Sequence, residues 1–388
     1  MEISCKKDNL VKTLATVERG AATRDTAPYL TGVLMEARAQ LRLVCTDLDL
    51  GIESLCEAEV RREGRNVVDA RYLSSIIRKL PGDDVYLELL QDEPRLRIIS
   101  GKSEFVIQTI PHEEFPHLPE LPGDREFVVS QGCLRQMIRQ TSFATVPDES
   151  RPFLSGVLVE VEGSKLRLVA TDNARLAFRE APVAEQLTLP EGDPVDGPGK
   201  PAQDGAGGGE ELLRAVVPGR SLQEVARLCE DPEAEVAVRI GSSHIMFSMQ
   251  GTKVVSGLIE SKYPDYRRVL LREADTLVTA DRMELLEAVE RSSLVARKGP
   301  SYVSLDMNEE RIALSAREAD FAQVYEEVSS KHSGPSVVVA YNPRFMMDML
   351  RVAESDEVEI LIKDPTKQSI LRSPGDPSYM YVLMPVQL

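Results

Sequence analysis

Two aspartates in matching surroundings are the residues of this chain best placed to do chemistry. Asp47 ends the stretch Leu41–Arg42–Leu43–Val44–Cys45–Thr46–Asp47, and Asp172 ends Leu166–Arg167–Leu168–Val169–Ala170–Thr171–Asp172; six of the seven positions are identical. Paired carboxylates can share general acid and base work, or hold a metal that activates water. Both roles need further groups. No histidine accompanies either aspartate, and a third related stretch has Arg317–Glu318 in the corresponding region. No glycine-rich phosphate loop or nucleophile elbow is present. The five cysteines (Cys5, Cys45, Cys56, Cys133, Cys229) are scattered without a CxxC, and His112 and His117 share a proline-rich loop with no third ligand in view. That pattern favours buried thiols over a zinc site or a disulfide framework. The expectation is a non-enzyme with no catalytic residue, no metal and no cofactor, in which the aspartates cap turns that follow strands.

The elements that carry these residues come in three copies. Gly32–Val33–Leu34–Met35–Glu36–Ala37 precedes the first stretch and Gly156–Val157–Leu158–Val159–Glu160–Val161 the second, with 15 and 16 residues from glycine to aspartate. A fainter copy runs through Tyr302–Val303–Ser304–Leu305–Asp306–Met307 and Arg311–Ile312–Ala313–Leu314–Ser315–Ala316–Arg317. The apolar alternation predicts paired strands joined by a short turn. Helical spacing precedes each copy: Leu10, Val11, Leu14 and Val17, then Leu134, Met137 and Ile138, then Met283, Leu285, Leu286 and Val289. A second helix follows each hairpin, at 71–80, 221–229 and 343–352, the last with Asn342 as N-cap and Pro343 in the first turn. Ile110–Pro111–His112–Glu113–Glu114–Phe115–Pro116 and Ile259–Glu260–Ser261–Lys262–Tyr263–Pro264 read as extended exits from a sheet. The repeat is strand, helix, three strands, helix, three strands. Boundaries near 124 and 273 divide the chain into 1–124, 125–273 and 274–388, each an α+β domain with two helices on one face of an antiparallel sheet. Between Pro190 and Gly209, eleven of twenty residues are glycine or proline. Such a segment buries too little apolar surface to order itself, and reads as a mobile loop, 190–209, or else a functional lid.

With 42% hydrophobic and 28% charged residues, the composition is that of a globular protein with a sizeable core. No apolar run approaches the roughly 18 residues that span a bilayer, and the start shows no signal-peptide pattern, so the expectation is a cytoplasmic protein with no membrane partner. A net charge of −17 argues against nucleic acid when taken as an average. Its distribution differs. The segments 7–20, 69–80, 131–145, 218–230, 280–298 and 342–355 hold 16 basic and 11 acidic residues, so the helices carry +5 and the remainder −22. Facing one way, they would attract phosphate without sequence preference; alternatively, the charges only solvate helix surfaces.

The repeat and its motifs together resemble the beta subunit of bacterial DNA polymerase III, the sliding clamp, over essentially the whole chain outside 190–209. The most specific pieces are Ala170–Thr171–Asp172, Arg175–Leu176–Ala177, Tyr263–Pro264–Asp265–Tyr266–Arg267–Arg268–Val269 and Tyr381–Val382–Leu383–Met384–Pro385. The resemblance implies a ring-forming head-to-tail homodimer of three-domain chains, with helices on the inner face and antiparallel sheets outside. The ring acts as a processivity factor on double-stranded DNA. It tethers the DNA polymerase III catalytic subunit, the clamp loader and other proteins that carry a clamp-binding motif. By position, it implies DNA contact for Arg24, Arg71, Arg78, Arg151 and Arg220. It implies a site for leucine- and phenylalanine-anchored peptides at Leu154, Thr171, Arg175, Leu176, Pro264, Arg268, Val269, Ser369, Val382, Leu383, Met384 and Pro385. A dimer contact is implied for Phe105 and Ile107 against Leu294 and Val295, where core packing is the alternative for Ile107. Asn173 and Ala174 stand where the family often has glycine and histidine, and Gln387 where it commonly has arginine. A clamp-fold paralogue or protein-binding scaffold with altered partners is therefore the rival to a DNA clamp.

Overall fold

The computed structural model describes residues 1–23, 27–90, 93–121, 125–183, 185–187, 212–270, 273–296, 302–308, 310–318 and 322–387. Six helices fall where the apolar periodicity puts them: α1 Lys7–Val17, α2 Ala70–Lys79, α3 Gln131–Thr141, α4 Gly219–Leu228, α5 Arg282–Ser293 and α6 Pro343–Val352. Three start on a side chain that accepts from the first turn: Asp69 from the Tyr72 N–H at 2.7 Å, Asp281 from Glu284 at 2.8 Å, and Asn342 from Arg344 at 3.0 Å. Each cap satisfies a donor that the helix cannot satisfy itself. α2 buries Leu73, Ile76 and Ile77 and leaves Arg71, Arg78 and Lys79 exposed, a division of faces set by its 3.6-residue period.

The repeat holds three times, with one correction. Among the described residues, five strands lie between the two helices in each of the first two copies and four in the third, not three. The first two copies hold the short strands Glu59–Arg62 and Glu185–Leu187, and the addition common to all three copies is the strand just ahead of the second helix: Gly64–Asp69, Leu212–Pro218 and Val337–Tyr341. Each pairs back onto the first strand of its hairpin (Gly32↔Asp69, Gly156↔Pro218, Val303↔Tyr341). Its register is therefore set by a partner distant in sequence, and local alternation carries little of that information.

By contact, the described residues form two compact units. The first holds Met1–Gly132, the strand Glu185–Leu187 and Arg227–Leu258. The second holds Cys133–Val183, the strand Leu212–Pro218 and Ile259–Leu388. The middle third of the sequence contributes to both because its strands pair outward. Thr252–Gly257 adds to Leu50–Cys56 in a nine-stranded sheet of the first unit, and Arg175–Pro182 adds to Tyr379–Leu383 in a twelve-stranded sheet of the second. The first unit also has a five-stranded sheet, ordered Glu59–Arg62, Glu2–Lys6, Asp84–Leu89, Arg95–Ser100, Ser103–Gln108. Matching cores sit under the two exit segments. In the first unit Phe115 packs with Leu34, Val44 and Val67; in the second, Tyr263 packs on Leu158, Val169 and Val216. Cys45 and Cys56 are buried strand thiols. The 190–209 segment lies outside the described residues.

Candidate functional site

The two Thr-Asp motifs make the same turn. Oγ1 of Thr46 accepts from the Leu48 N–H, and Oδ1 of Asp47 accepts from those of Asp49 and Leu50. In the second unit Thr171 accepts from Asn173, and Asp172 from Ala174 and Arg175. Both carboxylates are engaged in capping strand ends, which accounts for their recurrence without catalysis. Among the described residues no cluster of three histidine, cysteine or carboxylate side chains could hold a metal.

What differs is the residue after the turn. Arg175, 6% exposed, pairs with Asp172 at 2.9 Å and with Asp348 of α6 at 2.6 Å, and donates to the Phe143 carbonyl at 2.9 Å. Its guanidinium also lies 4.3 Å from the Phe345 ring centroid. Burial disfavours the charge, but Tyr381, Asp348 and Asp172 outweigh it and hold the arginine protonated more firmly than usual. Arg175 therefore locks the strand start rather than presenting a free cation. Phe143, Phe345 and Asp348, which hold it, were not identified from sequence; they come from segments with no local link to it.

Beyond Arg175 a row of paired residues crosses the sheet: Thr171, Leu176, Val382, Ile370, Leu361. The next row is Val169, Phe178, Met380. Leu176, Phe178, Ile370 and Val382 belong to one buried apolar cluster, with Leu361 and Met380 partly buried beside it. The exit segment covers it. Ile259 donates its N–H to Val216, the Tyr263 hydroxyl donates to the Val169 carbonyl at 3.1 Å, and Val269 and Leu270 pack on the cluster half-buried. Burial pushes the Tyr263 phenol above its ordinary range, so it remains a donor.

The resemblance-derived peptide residues thus gather in the second unit at two depths. Leu154, Thr171, Leu176, Ser369, Val382 and Leu383 are buried, with Ser369 hydrogen-bonded to the Tyr341 hydroxyl at 2.6 Å. Pro264, Arg268 and Met384 are exposed, and Val269 and Pro385 half-buried. Met384 is tied back to the turn, its N–H donating to the Ala174 carbonyl at 2.9 Å. Asn173 has φ +72°, so it keeps the left-handed conformation that glycine would take at this turn. Gln387 is exposed.

Among the arginines, Arg71 and Arg78 lie on the exposed face of α2, and Arg78 comes within 3.6 Å of Glu18. Arg151 pairs with Asp148 at 2.8 Å, and Arg220 is exposed in the first turn of α4. The Asp148 carboxyl is held down at about 2, chiefly by Ser150 and Arg151. Arg24 lies outside the described residues. Phe105 is exposed on Ser103–Gln108, the last strand of its sheet, and Leu294 is 62% exposed just past α5. Val295 is half-buried, whereas Ile107 fills the core of its own unit at 7% exposure.

Three family models match in succession: the DNA polymerase III beta subunit N-terminal domain over 1–119, the central domain over 128–191 and 208–265, and the C-terminal domain over 267–387. A beta sliding clamp from Pseudomonas putida is 30% identical over 392 residues, covering all of both chains. The crystal structure of the DNA polymerase sliding clamp from Bacillus subtilis superposes with a TM-score of 0.90 at 28% identity, over 100% of this chain and 99% of that one. The DNA polymerase III subunit beta from Pseudomonas aeruginosa gives 0.89 at 28% identity, over the whole of both. The three successive family matches and the full-length relatives agree with the threefold repeat, and the chain belongs to the DNA polymerase III beta subunit family, the bacterial sliding clamps.

Proposed function

We propose that this non-catalytic sliding clamp works as a head-to-tail ring of two copies around double-stranded DNA, and that its second unit holds replication proteins by short leucine- and phenylalanine-bearing peptides. The observation that carries the tether is the Leu176–Val382–Ile370 row, a buried apolar cluster with half-buried Val269 packed against it, whose strand runs on into exposed Met384 and half-buried Pro385. Each filled apolar pocket there contributes roughly 1.5–3 kcal/mol. Its partners in this reading are the DNA polymerase III catalytic subunit, the clamp loader and other clamp-binding-motif proteins, over domains divided near 124 and 273. Phe105 against Leu294 and Val295 supplies the ring contact, with Ile107 packed beneath.

DNA needs no tight grip in a closed ring. Contacts to phosphate position the protein without reading sequence, and the exposed Arg71, Arg78 and Arg220 on an otherwise acidic chain suit that task. Loaded onto closed circular DNA, the protein should stay through gel filtration at moderate salt and leave once the circle is cut. Release from intact circles at the same rate would remove the ring reading and leave a peptide-binding scaffold.

A further inference from the structure

The first unit has the counterpart of the peptide site, with different chemistry. Strand for strand, the row Thr171, Leu176, Val382, Ile370, Leu361 becomes Thr46, Gly51, Val255, Met246, Arg239. The row Val169, Phe178, Met380 becomes Val44, Glu53, Lys253. The covering segment changes too. Aligned on Phe115–Pro116 and Tyr263–Pro264, it places Leu118 and Pro119 where the second unit has Tyr266 and Arg267. In the second unit those two side chains donate to Glu160. In the first, the matching carboxylate Glu36 has neither donor.

The space that these side chains would fill is a cavity of about 960 Å³, inside the size range of sites that hold drug-sized ligands. Its lining has five cationic side chains (Arg38, Arg42, Arg65, Arg239 and Lys253) against three carboxylates, with Leu55, Met246 and Val255 as apolar wall. Arg65 pairs across the strand with Glu36, as Arg214 does with Glu160. Arg214 Nε reaches its glutamate at 2.9 Å, but Arg65 Nε is buried and has no hydrogen-bond partner among the described residues. That nitrogen is closed to solvent, so a ligand would meet Arg65 at the part of its side chain that lines the cavity.

We propose that this cavity binds a short acidic peptide, its carboxylates on Arg65 and Lys253 and an apolar side chain against Met246 and Val255. A net positive cavity on a chain of charge −17 selects for anionic groups by complementarity. The apolar wall selects for a ligand with side chains over a bare anion. The site shares no residue with the peptide site of the second unit.

Fluorescence anisotropy with a labelled hexapeptide of alternating aspartate and leucine tests this, with the lysine–leucine hexapeptide as control. The acidic probe should bind saturably and weaken as salt rises, and the control should not bind. Lys253→Gln and Arg65→Gln should each weaken binding about tenfold, the loss of one charge-assisted contact. Lys253 is half exposed and has only a 3.9 Å ion pair to Glu53 among the described residues, so its variant keeps the fold, checked by an unchanged melt. Removal of Met384–Leu388 should leave the acidic probe bound. Absence of saturation at millimolar probe, equal binding of the control, full affinity in both variants, or loss on removing 384–388 would each overturn the proposal.

Discussion

Glu160 and Glu36 occupy the same position in two copies of one repeat, yet one carries a closed ion network and the other an open one. Glu160 is fully buried. It accepts from Arg167 at 3.0 Å, Arg214 at 2.9 Å and the Tyr266 hydroxyl at 3.0 Å, and also from Arg267. Glu36 retains 14% exposure and pairs with Arg42 at 2.9 Å and Arg38 at 2.7 Å. Burial pushes the Glu36 carboxyl up, but Arg42 and Arg38 outweigh it and hold it below the usual carboxylate range. A buried charge is tolerable when every lone pair is met. The second unit meets that demand with its own covering segment and so pins the segment that flanks the apolar site. The first does not, and leaves its cavity open.

The largest test of this contrast is stability. Glu160→Gln strips the charge from a carboxylate facing three guanidinium groups, and breaking a buried network of this kind costs about 3–5 kcal/mol. Glu36→Gln should cost about 1–2 kcal/mol, since water reaches its partners. Urea, which does not screen charge, with circular dichroism as readout, gives both numbers. Equal losses would mean the two networks are equivalent and the contrast is only geometric.

Next in size is peptide affinity. Met384→Ala should weaken a leucine/phenylalanine peptide about tenfold, in keeping with partial loss of one apolar contact, and Lys253→Gln should leave that peptide unaffected. Calorimetry on the two variants separates the faces. A Lys253 effect on the apolar peptide would show that the second unit is not its site.

How much of this was legible in sequence follows from how local each feature is. The capped turns at Asp47 and Asp172, the six helices and the threefold repeat rest on neighbours within a few residues, and all are readable. The strands Gly64–Asp69, Leu212–Pro218 and Val337–Tyr341 depend on distant pairing and were not. The exit motif around Tyr263 pointed at the site, but Ile370 and Leu361 join it only through sheet register, and the Phe143–Phe345–Asp348 cradle of Arg175 only through packing. Ile107 and Phe105 are two apart on one strand, and their differing exposure is set by tertiary cover that no spacing records.

The smallest difference lies in the twin turns. Leu48 has φ +81° and is 63% exposed, whereas Asn173 holds φ +72° at the same position of its turn. A left-handed conformation costs a branched side chain roughly 1–2 kcal/mol, and asparagine much less. Glycine relieves that strain but adds about 0.4–1 kcal/mol of unfolded-state entropy. Leu48→Gly should therefore stabilise the first unit by roughly 0.5–1 kcal/mol, because its exposed side chain gives up little packing. Asn173→Gly should be neutral or slightly destabilising, since little strain is there to relieve. The hydrogen bonds from Asp47 and Asp172 run to backbone N–H groups and persist in both variants. If urea denaturation shows the leucine variant less stable than the parent, Leu48 contributes packing that its exposure conceals. The two turns would then differ in more than backbone strain.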